Sequence, residues 1–370
     1  MRQLMVIMGS GETSPTMVNV HKDVARGPAV LLDTPYGFQE NLAGISARAR
    51  AYFARSVGLE VEVAPDLAAL RNASWIFSGP GSPTYALREW EGPVASVLRD
   101  HVRGREATIV FASAAACTLG RFAVPVYEIY KVGADPHWVP GLDLLSEYGL
   151  DVVVIPHYDN AEGGTHDTRY SYLGERRLRV MERELPEGAA VLGVDEHTAV
   201  LIGERRVEVR GRGRMTVRRH GDSIAVPAGT VMELDELRAL VRGGGAAALV
   251  GARPPVVEES VPLKDVVLGC RRRFEAGERV EAILAVEAAV AEWGADTEED
   301  EGADWARTIM RDMIVQLGRA AALETVLPEL VEVRQELRRR GLYPLADRLR
   351  AALAAGGVEL RDTPDGTVWA

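Results

Sequence analysis

The segment Ala107-Thr-Ile-Val-Phe-Ala-Ser113-Ala-Ala-Ala-Cys-Thr-Leu-Gly120 constrains the fold more than any other part of the chain. A β-branched apolar run, Thr108 to Val110, leads through Phe111 and Ala112 to one serine, and only small residues follow. Such a run reads as a buried strand. The small residues after it permit a tight turn and a helix packed close to the strand. A serine on that turn is either a nucleophile or the N-cap of the helix. The glycines of the G-x-S-x-G pattern are missing, with Phe111 and Ala115 in their places. Taken alone, the segment leaves both roles open.

The rest of the chain repeats the pattern of a short apolar strand, a polar loop and a helical segment. Strands are predicted at Leu4–Met8, Ala29–Leu32, Leu59–Val63, Trp75–Phe77, Val152–Ile155 and Val191–Val194, besides the one ending at Ser113. This alternation predicts an α/β fold with a doubly wound, mostly parallel sheet. In that architecture the loops at the strand carboxyl ends gather along one edge. Those loops carry Gly9-Ser-Gly-Glu12, Ser78-Gly-Pro-Gly81-Ser-Pro-Thr84, Pro156-His157 through Tyr170, and Asp195-Glu196-His197. Ser14 stands where the third glycine of a dinucleotide fingerprint would fall, so no dinucleotide site is expected. From Val200 to Val226 short strands with Arg-Gly turns predict an antiparallel flap, and Leu234–Val241 a closing helix. Gly243-Gly-Gly-Ala-Ala-Ala reads as a hinge and Pro254-Pro255 as a stop. These place a domain boundary near residue 250: residues 1–250 form the α/β domain and 251–370 a helical domain. Helical periods run over Arg279–Trp293, Trp305–Leu327, Leu330–Gly341 and Leu345–Leu353.

Composition narrows the function. The formal net charge of −11 argues against a general nucleic-acid binder. Cys117 and Cys270 are the only cysteines and lie far apart with no ligand-like spacing, which argues against a disulfide framework and a zinc cluster. No apolar run reaches the roughly 20 residues of a membrane span. The run Leu4–Met8 is too short for a signal peptide, so a cytoplasmic protein without membrane contact is expected. His157, Asp159, His166, Asp167, Asp195 and His197 offer imidazole and carboxylate groups, but no fixed-spacing motif such as H-E-x-x-H occurs. No metal and no cofactor is expected.

A serine hydroxyl needs a base within hydrogen-bond reach and a third group to orient that base. Ser113, His157 and Glu196 each fall at or just past the end of a predicted strand, in the chain order Ser, His, Glu. That order, with Gly79-Pro-Gly81, Ala112-Ser113-Ala114, Pro156-His157 and Gly193-Val-Asp195-Glu196, resembles the dipeptidase E and cyanophycinase family of serine peptidases over about residues 1–230. These enzymes use a class I glutamine-amidotransferase-like scaffold. The resemblance implies Ser113 as nucleophile, His157 as general base and acid, and Glu196 as the orienting carboxylate. It also implies an oxyanion hole from the N–H groups of Ala114 and Gly81. Substrate binding would fall to Arg169, with Thr168 beside it and Asn160 in the same loop. The substrates implied are short or isopeptide-linked, acidic peptides, hydrolysed through an acyl-enzyme. Ala115 departs from the family, which has glycine there; the alternative reading is an inactive scaffold. Cys117, one helical turn beyond Ser113, reads as packing.

The tail carries a second resemblance. Leu330-Val-Glu-Val-Arg-Gln-Glu-Leu337, Leu345-Ala-Asp-Arg-Leu-Arg350 and Asp362-Thr-Pro-Asp-Gly-Thr-Val-Trp369 are similar to the C-terminus of cysteinyl-tRNA synthetases. The synthetase's catalytic motifs are absent from the sequence. The tail is read as a docking or homo-oligomerising helical module, with contact to tRNA or a protein as the alternative.

Overall fold

The computed structural model describes residues 3–63, 65–162, 166–244, 263–293, 300–319, 323–356, 358–363 and 366–369. The described residues form two compact units, one on the N-terminal side of residue 245 and one from Leu263 onward. The expected boundary near residue 250, most of the glycine hinge and Pro254-Pro255 lie outside the described residues.

The first unit is built on strands β1 (Met5–Met8), β2 (Ala29–Leu32), β3 (Glu62–Val63), β4 (Trp75–Ser78) and β5 (Thr108–Ala112). Short strands β6 (Phe122–Ala123) and β7 (Val139–Pro140) pair with each other. Then come β8 (Val152–Ile155), β9 (Ala190–Val194), β10 (Thr198–Ile202), β11 (Arg206–Gly211), β12 (Arg214–Arg219), β13 (Asp222–Pro227) and β14 (Val231–Glu233). The large sheet has the order β14-β11-β10-β1-β5-β4-β2-β3. Its half from β1 to β3 is parallel, and β10, β11 and β14 join antiparallel.

Strands β1, β2, β4 and β5 are buried, nearly continuous apolar runs because both faces of the sheet are covered there. Successive residues point to opposite faces, so Ile109 and Phe111 enter one core with Ile7 and Ile76, while Val110 and Ala112 enter another with Val6, Met8, Trp75 and Phe77. Helices start where the sequence provides caps. Ser14 accepts from Met17 N to open helix Pro15–Val24, and Ser82 accepts from Tyr85 N to open helix Pro83–Trp90.

Two expectations change. The strands predicted near residues 152 and 191 do not join the large sheet. They are β8 and β9, a parallel pair in a second sheet of order β13-β12-β9-β8. The predicted flap is no separate layer, because its strands divide between the two sheets. The apolar residues mark these strands in sequence, but only pairing partners decide which sheet takes them.

The second unit holds helices Leu263–Glu275, Arg279–Trp293, Asp300–Arg319, Leu323–Arg339 and Tyr343–Ala355, and a hairpin of Leu360–Thr363 with Gly366–Trp369. Its core includes Val267, Ile283, Met310, Leu330 and Leu349. The helix expected at Trp305–Leu327 is described within Asp300–Arg319 and at the start of Leu323–Arg339, and residues 320–322 lie outside the described residues. Arg334 is fully buried, and its guanidinium bonds Asp362 and Thr367 of the hairpin. Among the described residues no helix is long and apolar enough to cross a membrane.

Candidate active site

Ser113 stands between β5 and the short helix Ser113–Cys117, with φ at +48°. Left-handed backbone costs a non-glycine residue about 1–2 kcal/mol, so packing must hold it there. The packing is visible: Ala114 to Cys117 are all buried, and Ala115 N donates to Gly79 O at 3.1 Å. Ala115 itself sits in the main core without exposure. The core therefore accommodates its methyl group.

The structure brings Ser113, His157 and Glu196 together from three loops. Ser113 Oγ lies 2.8 Å from His157 Nε2, and His157 Nδ1 lies 3.0 Å from Glu196 Oε1. His157 follows β8 by two residues and has φ at +46°. Glu196 follows β9 by two residues and is 3% exposed. Tyr158 N donates to Val194 O at 3.1 Å, which ties the two strand ends together. Although β8 and β9 left the large sheet, their carboxyl ends still face Ser113.

The turn carrying Glu196 is held from several sides. Its N–H donates to Asp159 Oδ1 at 2.8 Å. Asp195 Oδ2 accepts from Arg214 N at 2.9 Å. Burial, reinforced by the Asp159 carboxylate, pushes the Asp195 carboxyl up to about 8. Gly9 passes so close that a Cβ there would lie 2.0 Å from Asp195 O.

Gly81 follows β4 with φ at +133°, and a Cβ would lie 2.1 Å from Pro35 O. Ser82 N donates to that same carbonyl at 2.7 Å. Glycine is thus required for the chain to pass the Pro35 segment.

The residues expected to bind substrate are placed differently. Asn160 is 1% exposed, and its Nδ2 donates to Glu196 Oε1 at 3.0 Å. Thr168 is also buried, and its hydroxyl donates to Asn160 O at 3.3 Å. Both spend their polar groups on the loop around the carboxylate. Arg169 is half-exposed and held in a two-point ion pair by Asp167, at 2.8 and 2.9 Å. That pair keeps the Asp167 carboxyl well below its usual range. Asn160 and Asp159 as partners of Glu196 have no spacing signal that sequence reasoning could have used.

The other candidate groups are committed elsewhere. His166 stacks on Tyr130, and exposed His137 bonds Asp135 O in its own loop. Asp159 and Asp195 accept backbone N–H groups of the site's own turns. Among the described residues no group of three or more His, Cys, Asp or Glu side chains is arranged to hold a metal ion. Cys117 is a buried free thiol, pushed up to about 12 by burial.

Comparison with known proteins gives two separate likenesses. The chain is similar in fold to a solved peptidase structure from an acI-B1 actinobacterium, with TM-score 0.51 and 17% identity, over 63% of this chain and 97% of that one. In the C-terminal region 51 residues are 45% identical to the cysteine–tRNA ligase of Thermococcus onnurineus, and 46 residues are 48% identical to that of Thermococcus gammatolerans. The chain spans only 11% and 10% of the length of those two ligases. No protein-family model matches the chain.

Proposed function

We propose that the first unit is a serine-type amide hydrolase acting on short peptides. The observation that carries this reading is the relay from Ser113 Oγ to His157 Nε2 to Glu196 Oε1, with steps of 2.8 and 3.0 Å. A carboxylate only accepts hydrogen bonds, so His157 Nδ1 carries the proton and Nε2 is free to take one from Ser113. Attack by Ser113 Oγ on an amide carbonyl forms a tetrahedral intermediate as His157 takes the hydroxyl proton. His157 then gives that proton to the leaving amine. Water, activated by the same imidazole, releases the acyl group and restores Ser113. Backbone N–H groups of Ala114 and Gly81 are assigned to the developing oxyanion. No cofactor enters these steps. A substrate carboxylate would reach Arg169 by displacing Asp167, which makes acidic peptides the first substrates to screen.

The test is intact-protein mass spectrometry after treatment with a small serine-directed phosphonylating probe. One adduct on Ser113, lost in Ser113→Ala and in His157→Ala, is the expected result. An adduct that persists in Ser113→Ala, or no adduct on any serine at saturating probe, overturns the reading. The short match to cysteine–tRNA ligases carries a second reading, in which the helical unit contacts tRNA. Binding of tRNA by the full chain that survives Ser113→Ala, without hydrolysis of any amide, would favour it.

A further inference from the structure

Tyr170, Ser171 and Tyr172 form three consecutive non-glycine residues with positive φ, at 64°, 52° and 62°. A left-handed turn of this length is disfavoured for L-residues, whose Cβ atoms crowd the following carbonyls. Tyr172 N to Thr168 O at 2.9 Å and Gly174 N to Arg169 O at 2.9 Å close the turn internally. Two of its N–H groups and one hydroxyl point to the loop that carries His157. Tyr170 N donates to Tyr158 O at 3.1 Å, and Ser171 N reaches His157 O at 3.4 Å. The Ser171 hydroxyl, 3% exposed, donates to Pro156 O at 2.7 Å. Three successive carbonyls of the histidine loop are therefore held by this turn.

We propose that Ser171 is a positioning residue, holding the loop that carries His157 through its hydroxyl on Pro156 O and its N–H on His157 O. This rests on the serine-hydrolase reading above. The strain at Tyr170–Tyr172 keeps the hydroxyl and two N–H donors aimed at a loop whose own His157 is left-handed. Without that hydroxyl, the imidazole keeps its neighbours but loses the fixed approach to Ser113 Oγ. Misplacement on the scale of an ångström is enough to slow a proton transfer strongly.

The test uses the full chain, wild type and Ser171→Ala. Proton NMR follows the low-field resonance of His157 Nδ1–H bonded to Glu196. Phosphonylation of Ser113 is timed across pH in the same proteins. Ser171→Ala is expected to broaden or remove the resonance and to slow phosphonylation about tenfold, with its thermal midpoint close to that of wild type. An unchanged resonance and an unchanged rate profile overturn the proposal. Where Ser171→Ala does not fold, Ser171→Gly removes the same hydroxyl and suits the positive φ. A wild type unreactive toward the probe defeats the hydrolase reading, and the NMR comparison then decides positioning by itself. A wild type without the resonance overturns the proposal, because no held ring is then present.

Discussion

Asn160 Nδ2 and His157 Nδ1 converge on the same carboxylate oxygen, Glu196 Oε1, each at 3.0 Å. The shared acceptor fixes the carboxylate plane, and through it the ring that faces Ser113. Asn160→Ala should slow Ser113 phosphonylation about tenfold. Asn160→Asp sets a second carboxylate beside the first. It stabilises the protonated imidazole, and only the neutral ring is a base. The acid limb of the pH–rate profile should then move upward by about one unit. Equal profiles for wild type and Asn160→Asp would remove Asn160 from the relay.

Gly81 has no room for a side chain, since a Cβ would lie 2.1 Å from Pro35 O at a φ of +133°. Gly81→Ala should lower stability by about 2 kcal/mol or more. The loop after β4 must shift, so Ser113 reactivity should fall as well. Denaturant unfolding and probe kinetics measure both. Wild-type values in both would show that the loop relaxes without cost.

His21 is fully buried and lowered to about 4, chiefly by burial. Its Nε2 donates to Glu12 O at 2.7 Å, amid the rings of Phe53 and Phe77. The neutral ring is the folded form, whereas the unfolded chain takes up a proton near pH 6.5. Its contribution is therefore complete above about pH 6.5 and is lost as pH falls toward 4, about 3 kcal/mol in all. In His21→Gln this part of the stability curve should flatten. Thermal unfolding between pH 4 and 7 checks it, and a curve that still falls as steeply assigns the loss to other groups.

Arg334 in the helical unit is buried, while its partner Asp362 is about one-third exposed. Asp362→Asn should cost about 2 kcal/mol, less than a wholly buried pair because water screens the carboxylate. The hairpin should loosen first, reported by fluorescence of Trp369, which is half-exposed at its end. Unchanged fluorescence and unfolding would show that Leu360 and Val358 hold the hairpin without the pair.

The strand leading to Ser113 and the placing of Ser113, His157 and Glu196 at strand ends were legible in the sequence. Each depends on neighbours within a few residues: a β-branched run, and a polar loop after apolar residues. Tertiary structure decided the rest. It moved β8 and β9 into their own sheet, set Ser113 and Ser171 in left-handed backbone, turned Asn160 inward to Glu196 and paired Arg169 with Asp167. Local periodicity records which residues are apolar. It does not record which loop will supply a donor to a buried carboxylate 36 residues away, because topology alone brings Asn160 and Glu196 together.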